Sequence, residues 1–124
     1  MGQYFLIANL TKQEYLHPYR LGCGAKLWEI CANNQIGVLA YLLRRSDGLG
    51  GGDINNFKDF PNAGRWAGDA IVVVGDYDSS KLWDYVQDHF KEITDEIAEE
   101  YNKFIEIENL KIGKNRKRMR RCLV

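Results

Sequence analysis

The chain is poor in the residues that build special chemistry. It has two histidines, two prolines and three cysteines in 124 residues. The cysteines (Cys23, Cys31, Cys122) are odd in number and have no C-x-x-C spacing, which argues against a disulfide framework and a zinc site. A reducing, cytoplasmic setting is therefore expected. No apolar run approaches the roughly 20 residues of a membrane span, so no membrane partner is expected. The start, Met1-Gly2-Gln3-Tyr4, has neither the basic residues nor the apolar stretch of a signal peptide. Two lipidation patterns fail by one residue. Leu6 stands where myristoylation wants Ser or Thr, and Cys122 is followed by only two residues rather than three.

Net charge is also lacking: 17 Lys and Arg balance 17 Asp and Glu. That zero hides an asymmetry. Residues 1–110 hold ten cations against seventeen anions, a balance of −7, and residues 111–124 hold seven cations and no acid. An acidic body carries a basic tail.

What is present suits one folded domain. Hydrophobic residues make up 45% of the chain and aromatics 12%, enough to rule out wholesale disorder and to form a core without staples. The expected architecture is a single α+β domain over residues 1–112, a small mixed or antiparallel sheet packed by two or three helices, with residues 113–124 as the tail. Gln3–Asn9 reads as a first strand, and Thr11–Gly24 as a loop with one short extended piece. Ala25–Ala32 fits a strand or two helical turns, with the strand favoured. Ile36–Arg45 reads as a helix with Ile36, Leu39, Ala40 and Leu43 on its inner face. Asp47–Ala63 is a long glycine-rich loop. Ala70–Gly75 reads as a fully buried strand, because Ile71–Val74 is continuously apolar between turn residues. Ser79 or Ser80 is expected to cap a short helix through Gln87. Thr94 is expected to cap a longer one with Ile97, Ala98, Tyr101, Phe104 and Ile105 on one stripe.

Five groups carry chemistry. In Gly48-Leu49-Gly50-Gly51-Gly52-Asp53, clustered glycines let backbone N–H groups converge on an anion, although the spacing matches no phosphate-loop motif; the alternative is a plain connector. Arg65 offers a planar fork for phosphate or carboxylate and Trp66 a stacking face, with Asp69 nearby; the alternative is an Arg65–Asp69 pair with Trp66 at the core edge. Asp76-Tyr77-Asp78-Ser79-Ser80, after an apolar run, is similar to the phosphotransfer motif of haloacid-dehalogenase-type hydrolases, which would imply a metal-dependent hydrolase. Gly75 displaces the first Asp from the apolar run, however, and the alternative is a simple turn. His17 near Cys23 fits a nucleophile pair in residue type only. Finally, Lys114, Arg116, Lys117, Arg118, Arg120 and Arg121, with Lys111, make an electrostatic footprint for nucleic acid. Seven phosphate contacts give log K against log salt a slope of roughly −5 to −6. The alternative is docking on an acidic protein surface or on the chain's own Glu96, Glu99, Glu100, Glu106 and Glu108.

Glu14-Tyr15-Leu16-His17-Pro18, Leu21-Gly22-Cys23-Gly24-Ala25-Lys26-Leu27-Trp28-Glu29, Gly51-Gly52-Asp53, Gly64-Arg65-Trp66-Ala67-Gly68-Asp69 and Val74-Gly75-Asp76-Tyr77, following Met1-Gly2-Gln3-Tyr4, occur in an order that resembles a family of small hypothetical proteins of bacteria and their phages. The likeness spans roughly residues 1–106 and excludes the basic tail. It implies a shared single-domain α+β fold and no particular activity. A phage-type setting adds the reading of an accessory protein or inhibitor. The combined expectation is a non-catalytic binding protein without cofactor or metal. Gly50, Gly51, Gly52, Asp53, Arg65, Trp66, Asp69 and Asp76 are expected to line a cleft for an anionic or nucleotide-like ligand.

Overall fold

The computed structural model describes residues 3–21, 24–32, 35–45, 54 and 58–112. At its centre lies β1 (Phe5–Asn9), whose Leu6, Ile7 and Ala8 are all fully buried. A turn at residues 10–13 returns the chain as β2 (Glu14–Leu16), antiparallel to β1 with Ile7 opposite Leu16. Asn9 organises that turn, accepting the Lys12 N–H on its side chain at 2.8 Å and the Gln13 N–H on its carbonyl at 2.9 Å. With β3 (Ile71–Gly75) antiparallel to β1 and the two-residue β4 (Lys91–Glu92) parallel to β2, the mixed sheet runs β3-β1-β2-β4.

Strand periodicity sends the two faces of β1 into different cores. Ile7 joins Leu16, Val38, Leu42, Trp66, Ile93 and Ile97 on one face. Leu6 and Ala8 join Tyr15, Val74 and Val86 on the other. The fold is thus α+β with helices against both sides of a four-stranded sheet. A smaller cluster of Tyr41, Ile54 and Phe60, with Tyr101 and Phe104 packed on it, sits beyond the first core.

Four expectations are corrected. The apolar run at 71–74 is an edge strand rather than a buried inner one, and Val73 is 40% exposed. An apolar run specifies side-chain faces but not the position of a strand in the sheet; the inner positions go to β1 and β2. Residues 27–32 form a helix, α1 (Leu27–Ala32), not a strand. The Glu29 carboxylate reaches back to accept the Lys26 N–H at 3.0 Å, half of a capping box, while Leu27 and Trp28 lie outward. In α2 (Gln35–Leu43) the inner stripe is Val38, Tyr41 and Leu42, and Ile36 and Leu43 point outward. This helix is apolar on every side, so periodicity could not choose its face.

The fourth correction concerns helix starts. In α3 (Leu82–His89) the cap position is Lys81, with φ 70°, and the Ser80 hydroxyl accepts the Leu82 N–H from one residue further out. In α4 (Thr94–Ile112) Thr94 is already inside the helix and its hydroxyl instead accepts the His17 N–H at 2.9 Å. The α4 stripe is as expected, with Ile97 buried and Ala98, Tyr101, Phe104 and Ile105 half-buried.

Candidate functional site

The segment Gly64-Arg65-Trp66 docks on the C-terminal end of α2, where helix carbonyls lack intrahelical partners. The Gly64 N–H donates to the Tyr41 carbonyl and the Trp66 N–H to the Leu42 carbonyl, both at 2.9 Å. Gly64 has φ +80°, and a Cβ there would lie 2.6 Å from the Arg44 carbonyl oxygen, so only glycine allows this approach.

Docking fixes the two side chains that follow. Arg65 grips Glu14 of β2 through Nε at 3.1 Å and Nη2 at 2.5 Å, and its Nη1 donates to Asn62 at 2.8 Å and to Glu96 of α4 at 3.2 Å. Trp66 is fully buried and its Nε1–H donates to the same Glu14 carboxylate at 2.8 Å. Burial is the largest single influence on Glu14 and acts to raise its pKa. The hydrogen bonds from Arg65 and Trp66, with the Arg65 charge, outweigh it and hold the carboxyl below its ordinary value. Arg65 and Asp69 do not pair with each other. Asp69 accepts from Asn9 Nδ2 at 2.8 Å and Lys12 Nζ at 2.6 Å, and both hydrogen bonds hold it below its ordinary pKa.

The other sequence-derived residues are dispersed. Asp76 accepts the Tyr4 N–H at 3.1 Å, and Asp78 accepts the Ser80 N–H at 2.7 Å in a local turn. Among the described residues no three His, Cys, Asp or Glu side chains converge as metal ligands. Gly50, Gly51, Gly52, Asp53, Cys23 and the tail residues Lys114, Arg116, Lys117, Arg118, Arg120 and Arg121 lie outside the described residues. No helix among the described residues is long and apolar enough to cross a membrane.

A concave site does form, next to this network. Gly37, Ala40, Tyr41 and Arg44 of α2, Ile54, and Tyr101 and Phe104 of α4 line a pocket of about 330 Å³. Its walls are aromatic: Tyr41 meets Tyr101 edge-on at 5.8 Å and Phe104 at 5.3 Å between ring centroids. Gly37 makes room for Tyr101, whose hydroxyl would lie 2.1 Å from a Cβ at that position. The Tyr41 hydroxyl donates to Glu100, which also accepts from the Asn62 N–H at 2.8 Å and the Asn62 Nδ2 at 2.9 Å. Burial, with that carboxylate beside it, pushes the Tyr41 pKa far up, so the phenol stays protonated.

A continuous chain of polar contacts therefore runs Glu14, Arg65, Asn62, Glu100, Tyr41, from the sheet to the pocket wall. Arg65 and Trp66 are one step behind the pocket, holding its frame. Sequence reasoning did not single out Asn62 or Tyr41, and named Glu14 only within the resemblance pattern and Glu100 only as a docking residue for the tail; the contacts Glu14–Arg65, Asn62–Glu100 and Tyr41–Glu100 span 38 to 59 positions of the chain. Tyr101 and Phe104 were visible only as members of an apolar stripe. No family model, curated protein or solved structure matches this chain.

Proposed function

We propose that this is a non-catalytic binding protein that seats a planar anionic ligand, of nucleotide type, in the pocket between α2 and α4. One observation carries the reading: three aromatic side chains and one arginine line the same concave space. Aromatic walls suit a base or another flat ring, and the guanidinium of Arg44 suits a phosphate or carboxylate. A volume of about 330 Å³ lies at the small end of the range for ligand sites. The glycine loop belongs to the same proposal by chain continuity, because Ile54 of the lining directly follows Gly50, Gly51, Gly52 and Asp53. Arg65 and Trp66 serve as its frame, and Asp69 lies outside it on Asn9 and Lys12. A phage-type inhibitor that sequesters a nucleotide signal is one setting in which such a protein would act.

Calorimetric titration of mono- and dinucleotides, with inorganic phosphate as control, tests the reading. Micromolar binding that is lost in Phe104→Ala and weakened in Arg44→Gln supports it. Absence of heat with every nucleotide, together with an unchanged melting temperature, removes it.

A second reading rests on the tail. Six cations among Lys114–Arg121 and no acid after residue 110 fit docking on RNA, DNA or an acidic protein surface. The tail has no aromatic residue, so such binding would follow the phosphate backbone rather than base identity.

A further inference from the structure

Among the described residues the sheet has one open edge long enough to pair. On the far side β4 is two residues long. On the near side β3 spans Ile71–Gly75 and, among the described residues, is hydrogen-bonded on one flank only. The register shows which groups are left over. Leu10 N–H donates to the Ala70 carbonyl and Asp76 N–H to the Tyr4 carbonyl, so the even-numbered residues of β3 face β1. The N–H and C=O groups of Ile71 and Val73, and the N–H of Gly75, therefore point away from the sheet. The Gly75 carbonyl accepts the Asp78 N–H at 3.1 Å and keeps a second lone pair.

Edge strands are normally blunted by proline, lysine, a bulge or a covering element. Ile71-Val72-Val73-Val74-Gly75 has no proline and no charge, and its ladder with β1 is regular from end to end. The side chains are apolar on both faces although Val73 is 40% exposed. This is an inner strand's sequence at an edge strand's position.

We propose that β3 pairs with β3 of a second copy, antiparallel about a twofold axis at Val73, to join two sheets into one. The outward groups are self-complementary in that arrangement. Val73 meets its symmetry mate as a hydrogen-bonded pair, and Ile71 meets Gly75 of the other copy, each pair exchanging N–H and C=O. The two Val73 side chains become neighbours on the face that Ile7 occupies, covering each other's exposed surface.

Charge selects the antiparallel sense. At the strand's entry Arg45, which has no ion pair among the described residues, would place Nη1 3.8 Å from a Cβ on Gly68, and Lys12 bonds Asp69. At the exit stand Asp76 and Asp78. Antiparallel pairing lays Arg45 of one copy beside the acids of the other, with Lys12 already neutralised by Asp69, whereas parallel pairing would set acid against acid.

Sedimentation equilibrium of the full chain from micromolar to millimolar concentration tests the pairing. The expected result is a rise from monomer to twice its mass, with amide exchange of Val73 slowing as concentration rises while that of Val72, bonded to β1, does not change. Val73→Pro removes an outward N–H and no bond to β1, and should abolish the dimer. Val73→Lys should do the same through charge repulsion, and decides the matter if the proline variant does not fold. A chain monomeric at every concentration overturns the proposal. So does a dimer that survives Val73→Lys or that simply dissolves in salt, as tail-mediated association would.

Discussion

Glu14 accepts three side-chain hydrogen bonds, and all three come from a neighbouring pair of residues. It lies on an inner strand, and its two oxygens receive Arg65 Nε, Arg65 Nη2 and Trp66 Nε1. Removing it would leave a guanidinium and a buried indole N–H without their acceptor. Glu14→Ala is therefore expected to cost about 3 kcal/mol in urea denaturation, and Glu14→Gln less, because an amide oxygen still accepts from Trp66. The pH dependence has a definite sign. The folded pKa is below the ordinary 4.5, so this stabilisation is complete above that value and is lost as pH falls through the folded pKa. His17 acts in the adjacent window. Its Nδ1 is buried without a hydrogen-bond partner among the described residues, and burial depresses its pKa below 6.5; Glu92 acts in the opposite sense and Arg20 in the same one. The unfolded chain takes the proton first, so stability falls as pH drops below about 6.5 and levels off below the folded pKa. His17→Gln keeps the backbone N–H for Thr94 and should flatten melting temperature against pH between about 7 and 5.5. Neither network was legible in the sequence. Arg65 and Asp69 looked like partners because they are close in the chain, but the turns between them face the two side chains toward different strands.

Among the elements, α2 and β3 read correctly as helix and strand but not in their faces or position, for a shared cause. The apolar pattern of α2 has no polar side to orient it, and that of β3 has no polar alternation to mark an edge. By contrast β1 was legible from its buried run, and α4 from a charged face opposite an apolar stripe. Two substitutions probe what periodicity could not show. Gly37→Ala gains helix propensity of about 1 kcal/mol but drives a Cβ to within 2.1 Å of the Tyr101 hydroxyl. Overpacking of this kind costs about 1–3 kcal/mol, so a net loss of about 1 kcal/mol is expected in thermal denaturation, together with weaker ligand binding as the ring shifts in the pocket. Lys81→Gly should act in the other direction. Lys81 is exposed and held at φ 70° ahead of α3, where the left-handed conformation costs a non-glycine residue about 1–2 kcal/mol. After the extra entropy of glycine in the unfolded chain, a gain of about 0.5–1 kcal/mol should appear as a higher melting temperature.

At the scale of the molecule the governing fact is charge separation along the chain. Deleting residues 113–124 removes six cations, Lys114, Arg116, Lys117, Arg118, Arg120 and Arg121, and no acid, taking the formal charge from 0 to −6. Two uses of those cations make opposite predictions. If the tail neutralises its own body, deletion exposes uncompensated repulsion among Glu96, Glu99, Glu100 and their neighbours, and the melting temperature falls most at low salt, where screening is weakest. If the tail serves a partner, the body keeps its melting temperature and only binding changes. The body's own packing favours the second outcome. Of the α4 acids, Glu96 is paired with Arg65 and Asp95 with Arg20, and Glu100 is hydrogen-bonded by Tyr41 and Asn62, so part of the local repulsion is relieved without the tail. The truncated chain is thus expected to melt at the full-length temperature at every salt concentration. The full-length chain is expected to bind single-stranded DNA with a log K against log salt slope of about −4, from six contacts at about 0.7 each, and the truncated chain not at all. A melting temperature that drops on truncation and recovers with added salt would assign the tail to the body instead.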